Sequence, residues 1–147
     1  MPDTFDGEDV ARLRIALARI SRLLDRQTRG EALTSTQSSV LATVARLGPL
    51  RITEVAEIEG VNPTMLSRIV GKLEDAGLLR RHPDPDDGRA SRVEATPAGA
   101  EINRKQRAQR TRLLTARLAA LPDTRATELL ASLPALESLA EQLARRP

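Results

Sequence analysis

The sequence predicts a mainly α protein with one small β-hairpin, and three observations carry that prediction. Of 147 residues, 40% are hydrophobic but only 1% aromatic, and the composition leans on Ala, Leu, Arg and Glu, which favour helices. Apolar residues recur at three- and four-residue spacing along most of the chain. The period breaks at residues 78–95, where two short runs flank a loop dense in Pro, Asp and Gly.

Composition also bounds function. The 23 Lys+Arg and 20 Asp+Glu leave a net charge of only +3, so a polyanion partner has to be argued from where the arginines sit. With no Cys there is no disulfide framework, thiolate metal site or cysteine redox switch. A single His, no Gly-rich phosphate loop and no paired carboxylates give no basis for an enzyme, a metal or a cofactor. The absence of an apolar leader or a long apolar run predicts a cytoplasmic chain with no membrane partner.

Residues 1–8 are polar and expected to fray. Val10, Leu13, Leu17, Ile20 and Leu24 then keep a 3-4-3-4 spacing, a helix seam that suits either its own core or a partner chain. Thr34-Ser35-Thr36-Gln37 fits a capping box opening a second helix, with Val40, Leu41, Val44 and Leu47 on one face and Gly48-Pro49 as its stop. A short helix follows over residues 52–58, with Thr53 as cap.

The central helix is bounded at both ends. Asn62 is a good N-cap, Pro63 suits the first helical position, and Gly77 can adopt the left-handed conformation that ends a helix. Met65, Leu66, Ile69, Val70 and Leu73 are assigned to a core-facing side; Thr64, Ser67, Arg68, Gly71 and Lys72 form a short, basic opposite face. Two helices joined by the tight Glu59-Gly60-Val61 connection make a helix-turn-helix. The candidate strands 78–82 and 90–95, separated by residues 83–89, add a hairpin, giving a winged helix-turn-helix.

Thr96-Pro97 repeats the cap-plus-proline signal and opens a long helix to about Leu121, basic from Arg104 to Arg112. That run reads as a solvated face, with an anion-binding cleft as the alternative. A last helix from Asp123 carries Leu129, Leu133, Leu136 and Leu143, and Pro134 should kink it. The chain thus divides into an N-terminal helix (1–30), a winged lobe (31–99) and C-terminal helices (100–147). Asp84, Asp86, Asp87 and His82 read as a Pro-Asp turn and its flank, not a metal cluster.

The ordered set Leu33-Thr34-Ser35-Thr36-Gln37, Thr53-Glu54-Val55-Ala56, Leu66-Ser67-Arg68-Ile69-Val70, Leu73-Glu74, Gly77-Leu78-Leu79 with Arg81, and Asp87-Gly88-Arg89-Ala90-Ser91-Arg92-Val93 to Thr96 resembles the MarR family of winged helix-turn-helix regulators. The resemblance spans roughly residues 10–145. It implies a homodimer joined by its N- and C-terminal helices, two winged lobes on successive grooves of double-stranded DNA, and often a small-molecule effector between the dimer layer and the DNA-binding lobe. Position 88 is Gly where many relatives carry Arg, and the near absence of aromatics argues against a stacking ligand site; the residues themselves assign no ligand-binding position.

On that reading the central helix enters a major groove. Asn62, Pro63, Thr64, Ser67, Arg68 and Lys72 form the expected DNA-binding set, with Arg68 suited to O6 and N7 of guanine and Lys72 to phosphate. Arg89 at the wing tip would reach an adjacent minor groove; Arg92 and Arg51 complete the set, Arg51 as a phosphate contact. Asp87 is odd beside DNA and is expected to hold the wing by pairing with an arginine such as Arg81. The function expected is a repressor on a pseudo-palindromic operator. The alternative is a helical protein–protein interaction module, suggested by the modest net charge and acidic wing.

Overall fold

The computed structural model describes residues 5–28, 30 and 32–145. The order of elements is α1 (Gly7–Thr28), α2 (Ser35–Leu47), β1 (Leu50–Arg51), α3 (Ile52–Glu59), α4 (Pro63–Asp75), β2 (Leu79–Pro83), β3 (Ser91–Ala95), α5 (Pro97–Ala119), α6 (Asp123–Ala131) and α7 (Leu133–Ala144). The chain forms two compact units, residues 1–110 and 111–147. Of the stretch expected to fray, residues 1–4 lie outside the described residues, and Gly7 and Glu8 already belong to α1.

Within the first unit, the local signals place the helix ends. Thr34 and Gln37 exchange hydrogen bonds through side chain and backbone, a complete capping box for α2. Asn62 Oδ1 accepts the Met65 N–H at 2.8 Å, with Pro63 at the start of α4. Past the end of α4, Gly77 has φ +74°, a conformation that a residue with a Cβ adopts only under strain. For α3 the cap differs from expectation. The helix begins at Ile52, one residue before Thr53, and Glu54 Oε2 accepts the Arg51 N–H at 2.8 Å.

The core lies where α2, α3, α4 and the sheet meet. Val40, Leu41, Val44, Val55, Leu66, Val70, Leu73 and Val93 are almost wholly shielded from water, and burial of such side chains is worth about 1.5–3 kcal/mol each. Two expected core residues are outside it: Leu47 at the end of α2 and Met65 on α4, half of whose surface remains in water. Met65 precedes Leu66 by one position, a rotation of about 100° about the helix axis, and with Leu66 fully buried it falls on the solvent side.

The hairpin is one part of a three-stranded antiparallel sheet in the order β1-β3-β2. Leu50 pairs with Val93 and Arg51 with Arg92, while β2 and β3 pair from Leu79↔Ala95 to Pro83↔Ser91. The two-residue β1 has too little sequence pattern to be foreseen. Thr96 ties the sheet to the helices: its hydroxyl donates to the Gly77 carbonyl at 2.6 Å and accepts the Gly99 N–H at 3.1 Å. A Cβ at Gly99 would overlap the Leu78 carbonyl oxygen, so the start of α5 approaches this loop as closely as it does only because residue 99 is glycine.

In the second unit, Pro134 breaks the expected helix instead of kinking it. Residue 134 lacks the N–H that would bond residue 130, and its ring crowds that carbonyl. The Ser132 hydroxyl donates to the Leu129 carbonyl at 2.7 Å, and the chain restarts as α7. Leu129, Leu130, Leu133, Leu139 and Leu143 are exposed in this unit.

Candidate nucleic-acid interface

The site is built on α4 and the hairpin that follows it. With Leu66, Val70 and Leu73 locked into the core, α4 presents Thr64, Met65, Arg68 and Lys72 to solvent, and Ser67 and Gly71 are half-buried. Among the described residues, Arg68 and Lys72 have no hydrogen-bond or ion-pair partner for their side chains. The same holds for the Arg89 side chain at the wing tip, whose backbone N–H is accepted by Asp87 Oδ1 at 3.0 Å. Three cations are therefore available to an outside anion.

The other arginines of the expected set are engaged. Arg51 Nε and Arg92 Nε both donate to Oδ2 of Asp84, at 2.5 and 3.1 Å, and Asp84 is buried. Oδ1 of the same carboxylate accepts the Asp86 and Asp87 N–H groups. The Arg51 hydrogen bond, then the Asp86 N–H, and further the Arg92 bond and the Arg51 charge hold the Asp84 carboxyl well below the usual range, with burial opposing them. Arg51 is raised in turn, chiefly by its bond to Asp84.

Asp84 thus fills the wing-holding role that the sequence reading gave to Asp87. Asp87 does not pair with Arg81. Its side chain caps the tip turn at Arg89, and its carbonyl accepts the Ala90 N–H at 3.0 Å. Arg81 fastens β2 to α4 instead, through Nε to Glu74 Oε1 and Nη2 to the Ser67 carbonyl at 3.4 Å. Arg80 is matched across the strands by Glu94. Asp84 sits between two prolines in a loop with two other acids, and nothing in that local pattern marks which carboxylate is buried.

A cavity of about 430 Å³ opens behind the helix-turn-helix, among α1, α2 and the first half of α5. Its lining is hydroxyls, amide and charge: Ser39, Thr43 and Arg46 from α2, Asn103, Arg107 and Arg110 from α5, with Asp25 of α1 pairing Arg110 at 3.1 Å. Arg110 Nε is buried with no hydrogen-bond partner among the described residues. Ser39 donates to Glu59 Oε2 at 2.8 Å and Thr43 donates to Oε1, so the cavity wall is bonded to the last residue of α3. Part of the basic run of α5, Arg107 and Arg110, therefore lines a cleft instead of a fully solvated face.

A helix-turn-helix followed by a three-stranded wing, with unpaired cations on the exposed face of its second helix, is the architecture of winged helix-turn-helix transcriptional regulators. The comparisons agree. The MarR family model matches residues 33–91. An HTH-type transcriptional regulator of Mycobacterium bovis, Mb0904, is 33% identical over 116 residues, covering 79% of this chain and 81% of that protein. Among solved structures, a transcriptional regulator from Pseudomonas aeruginosa is similar at TM-score 0.79 and 28% identity, over 92% of this chain and 97% of the other. The PcaV transcriptional regulator of Streptomyces coelicolor, solved with its natural ligand, is similar at TM-score 0.60 and 26% identity, over 92% and 94% of the two chains. The chain belongs to the MarR family of transcriptional regulators, and is not an enzyme. No helix among the described residues is long and apolar enough to cross a membrane.

Proposed function

We propose that the protein is a homodimeric repressor that binds a pseudo-palindromic operator in double-stranded DNA in the cytoplasm. The observation that carries this reading is the division among its cations: among the described residues, Arg68, Lys72 and Arg89 have unpaired, exposed side chains on α4 and the wing tip, while Arg51, Arg80, Arg81 and Arg92 are each matched to a carboxylate. Arg68 reads a guanine edge, Thr64 and Ser67 contact neighbouring base edges or phosphate, Lys72 meets phosphate, and Arg89 enters the minor groove. Asn62 and Pro63 set the N-terminus of α4 against the backbone. Arg51 and Arg92, held by Asp84, contribute by fixing the wing.

The exposed apolar seam of α1, including Val10, Leu13, Leu17 and Ile20, and the exposed leucines of α6 and α7 are the surfaces a second copy covers. Two-fold symmetry then sets half-sites about one helical turn apart. A small polar anion in the α1–α2–α5 cavity is the effector, taken up by Arg46, Arg107 and Arg110. Ser39 and Thr43 each have one proton to donate, so a ligand oxygen that accepts it withdraws a bond from Glu59, beside the turn into α4. Release from DNA requires that such a ligand bind the two lobe arrangements unequally.

Selection of bound sequences from random duplex DNA tests the reading. A two-fold symmetric site, bound with an affinity that falls steeply with salt, is expected. Absence of any enriched sequence overturns it in favour of a protein–protein interaction module.

A further inference from the structure

Of the two side chains that the sequence placed in the core and the structure leaves in water, Leu47 and Met65, it is Met65 that lies on the exposed face of α4. It is the third residue of α4, its backbone N–H bonded to Asn62 Oδ1 at 2.8 Å, so the turn that carries it is fixed. Half of the residue remains exposed while Leu66 beside it is fully buried. It lies three residues before Arg68 and seven before Lys72, in one stripe along the helix. Among the described residues it is the only large apolar side chain on that face of α4; Ile69, the other apolar residue near it, packs against the core.

The first turns of a reading helix are the part that meets base edges. In the major groove every base pair presents a pattern of donors and acceptors, and thymine alone adds an apolar group, its C5 methyl. An unbranched, polarizable thioether is suited to cover a methyl whose position varies slightly with local DNA shape. We propose that Met65 is a specificity-determining residue that reads a thymine methyl in each half-site. Three residues advance about 4.5 Å along a helix, and stacked bases are about 3.4 Å apart. The thymine therefore lies within one or two base pairs of the base contacted by Arg68. This inference rests on the DNA-reading function proposed above.

The test replaces thymine by deoxyuridine, which removes the C5 methyl and leaves the hydrogen-bonding edge unchanged. Each thymine of the selected operator is replaced in turn, symmetrically in both half-sites, and the full-length wild type is compared with Met65→Ala and Met65→Leu. At one symmetric thymine pair the wild type should weaken by about fourfold per half-site, the factor that burying one methyl gives. Met65→Ala should bind the parent duplex correspondingly less well and lose sensitivity to deoxyuridine at that pair alone, while Met65→Leu retains it. Because the side chain is exposed, both variants should melt with the wild type. If the wild type is indifferent to every replacement, or Met65→Ala keeps the full penalty, the inference fails and the DNA-reading function stands. If random DNA yields no symmetric operator for the wild type, the function itself fails and the inference with it.

Discussion

Arg51 and Arg92 stand directly opposite each other in the register of β1 and β3, and both donate Nε–H to the same carboxylate oxygen, Oδ2 of Asp84. Like charges facing across strands repel; here the buried carboxylate converts the pair into a clasp between the strand that precedes α3 and the wing loop. Asp84→Asn should therefore lower Tm and speed amide exchange over residues 79–95 more than over α4. An unchanged exchange profile would mean that the hairpin is held by its strand pairing alone.

The same carboxylate sets a pH dependence. The folded Asp84 is held below its ordinary value of 3.8, so its contribution is fully present above that value and is lost as pH falls through the lower folded value. Wild-type wing protection should be flat from about pH 5 to 8 and decline in stronger acid. The difference between wild type and Asp84→Asn, followed by thermal unfolding against pH, isolates this group from other carboxylates such as Glu101, which Arg104 also depresses.

Charge roles separate by readout. Lys72→Ala should weaken binding evenly across DNA sequences and reduce the salt slope by about one, with Tm unchanged. Arg89→Ala should likewise leave Tm alone. Arg92→Ala should lower both Tm and DNA affinity, since its Nε serves Asp84. Equal Tm for the Arg89 and Arg92 variants would remove the distinction between free and clasping arginines.

The scaffold under the reading helix has its own hierarchy. Leu66→Ala, at a site with no exposure, should cost about 2–5 kcal/mol, and Asn62→Ala about 1 kcal/mol through loss of the cap. Gly99→Ala forces a Cβ against the Leu78 carbonyl and should cost about 1–3 kcal/mol. Denaturant unfolding of the three variants checks the order.

What could be read in the sequence was what is local. Thr34 with Gln37, Asn62 with Pro63, Gly77 and Thr96 act on backbone groups within a few residues, and each does so in the fold. The exposed set of α4 was legible to within one position: a wide apolar stripe does not say which edge stays wet, and Met65 is that edge. The clasp was not legible. Arg51 and Arg92 meet only because β1 adds to the hairpin, and which of three acids in the loop is buried depends on that meeting. Pro134 signalled an interruption, and the Ser132 bond to the preceding turn helps make it a break. The cavity joins residues from Ser21 to Arg110, a span over which spacing carries no signal.

The central claim is that α4 reads sequence through Arg68, and selection from random duplex DNA with wild type and Arg68→Ala side by side, at one salt concentration, tests it most directly. The account predicts a two-fold symmetric site for the wild type and, for the variant, relaxed preference at one position in each half-site, with discrimination there reduced by about 1–3 kcal/mol. Identical preferences for the two proteins, or no enriched sequence for either, would contradict it.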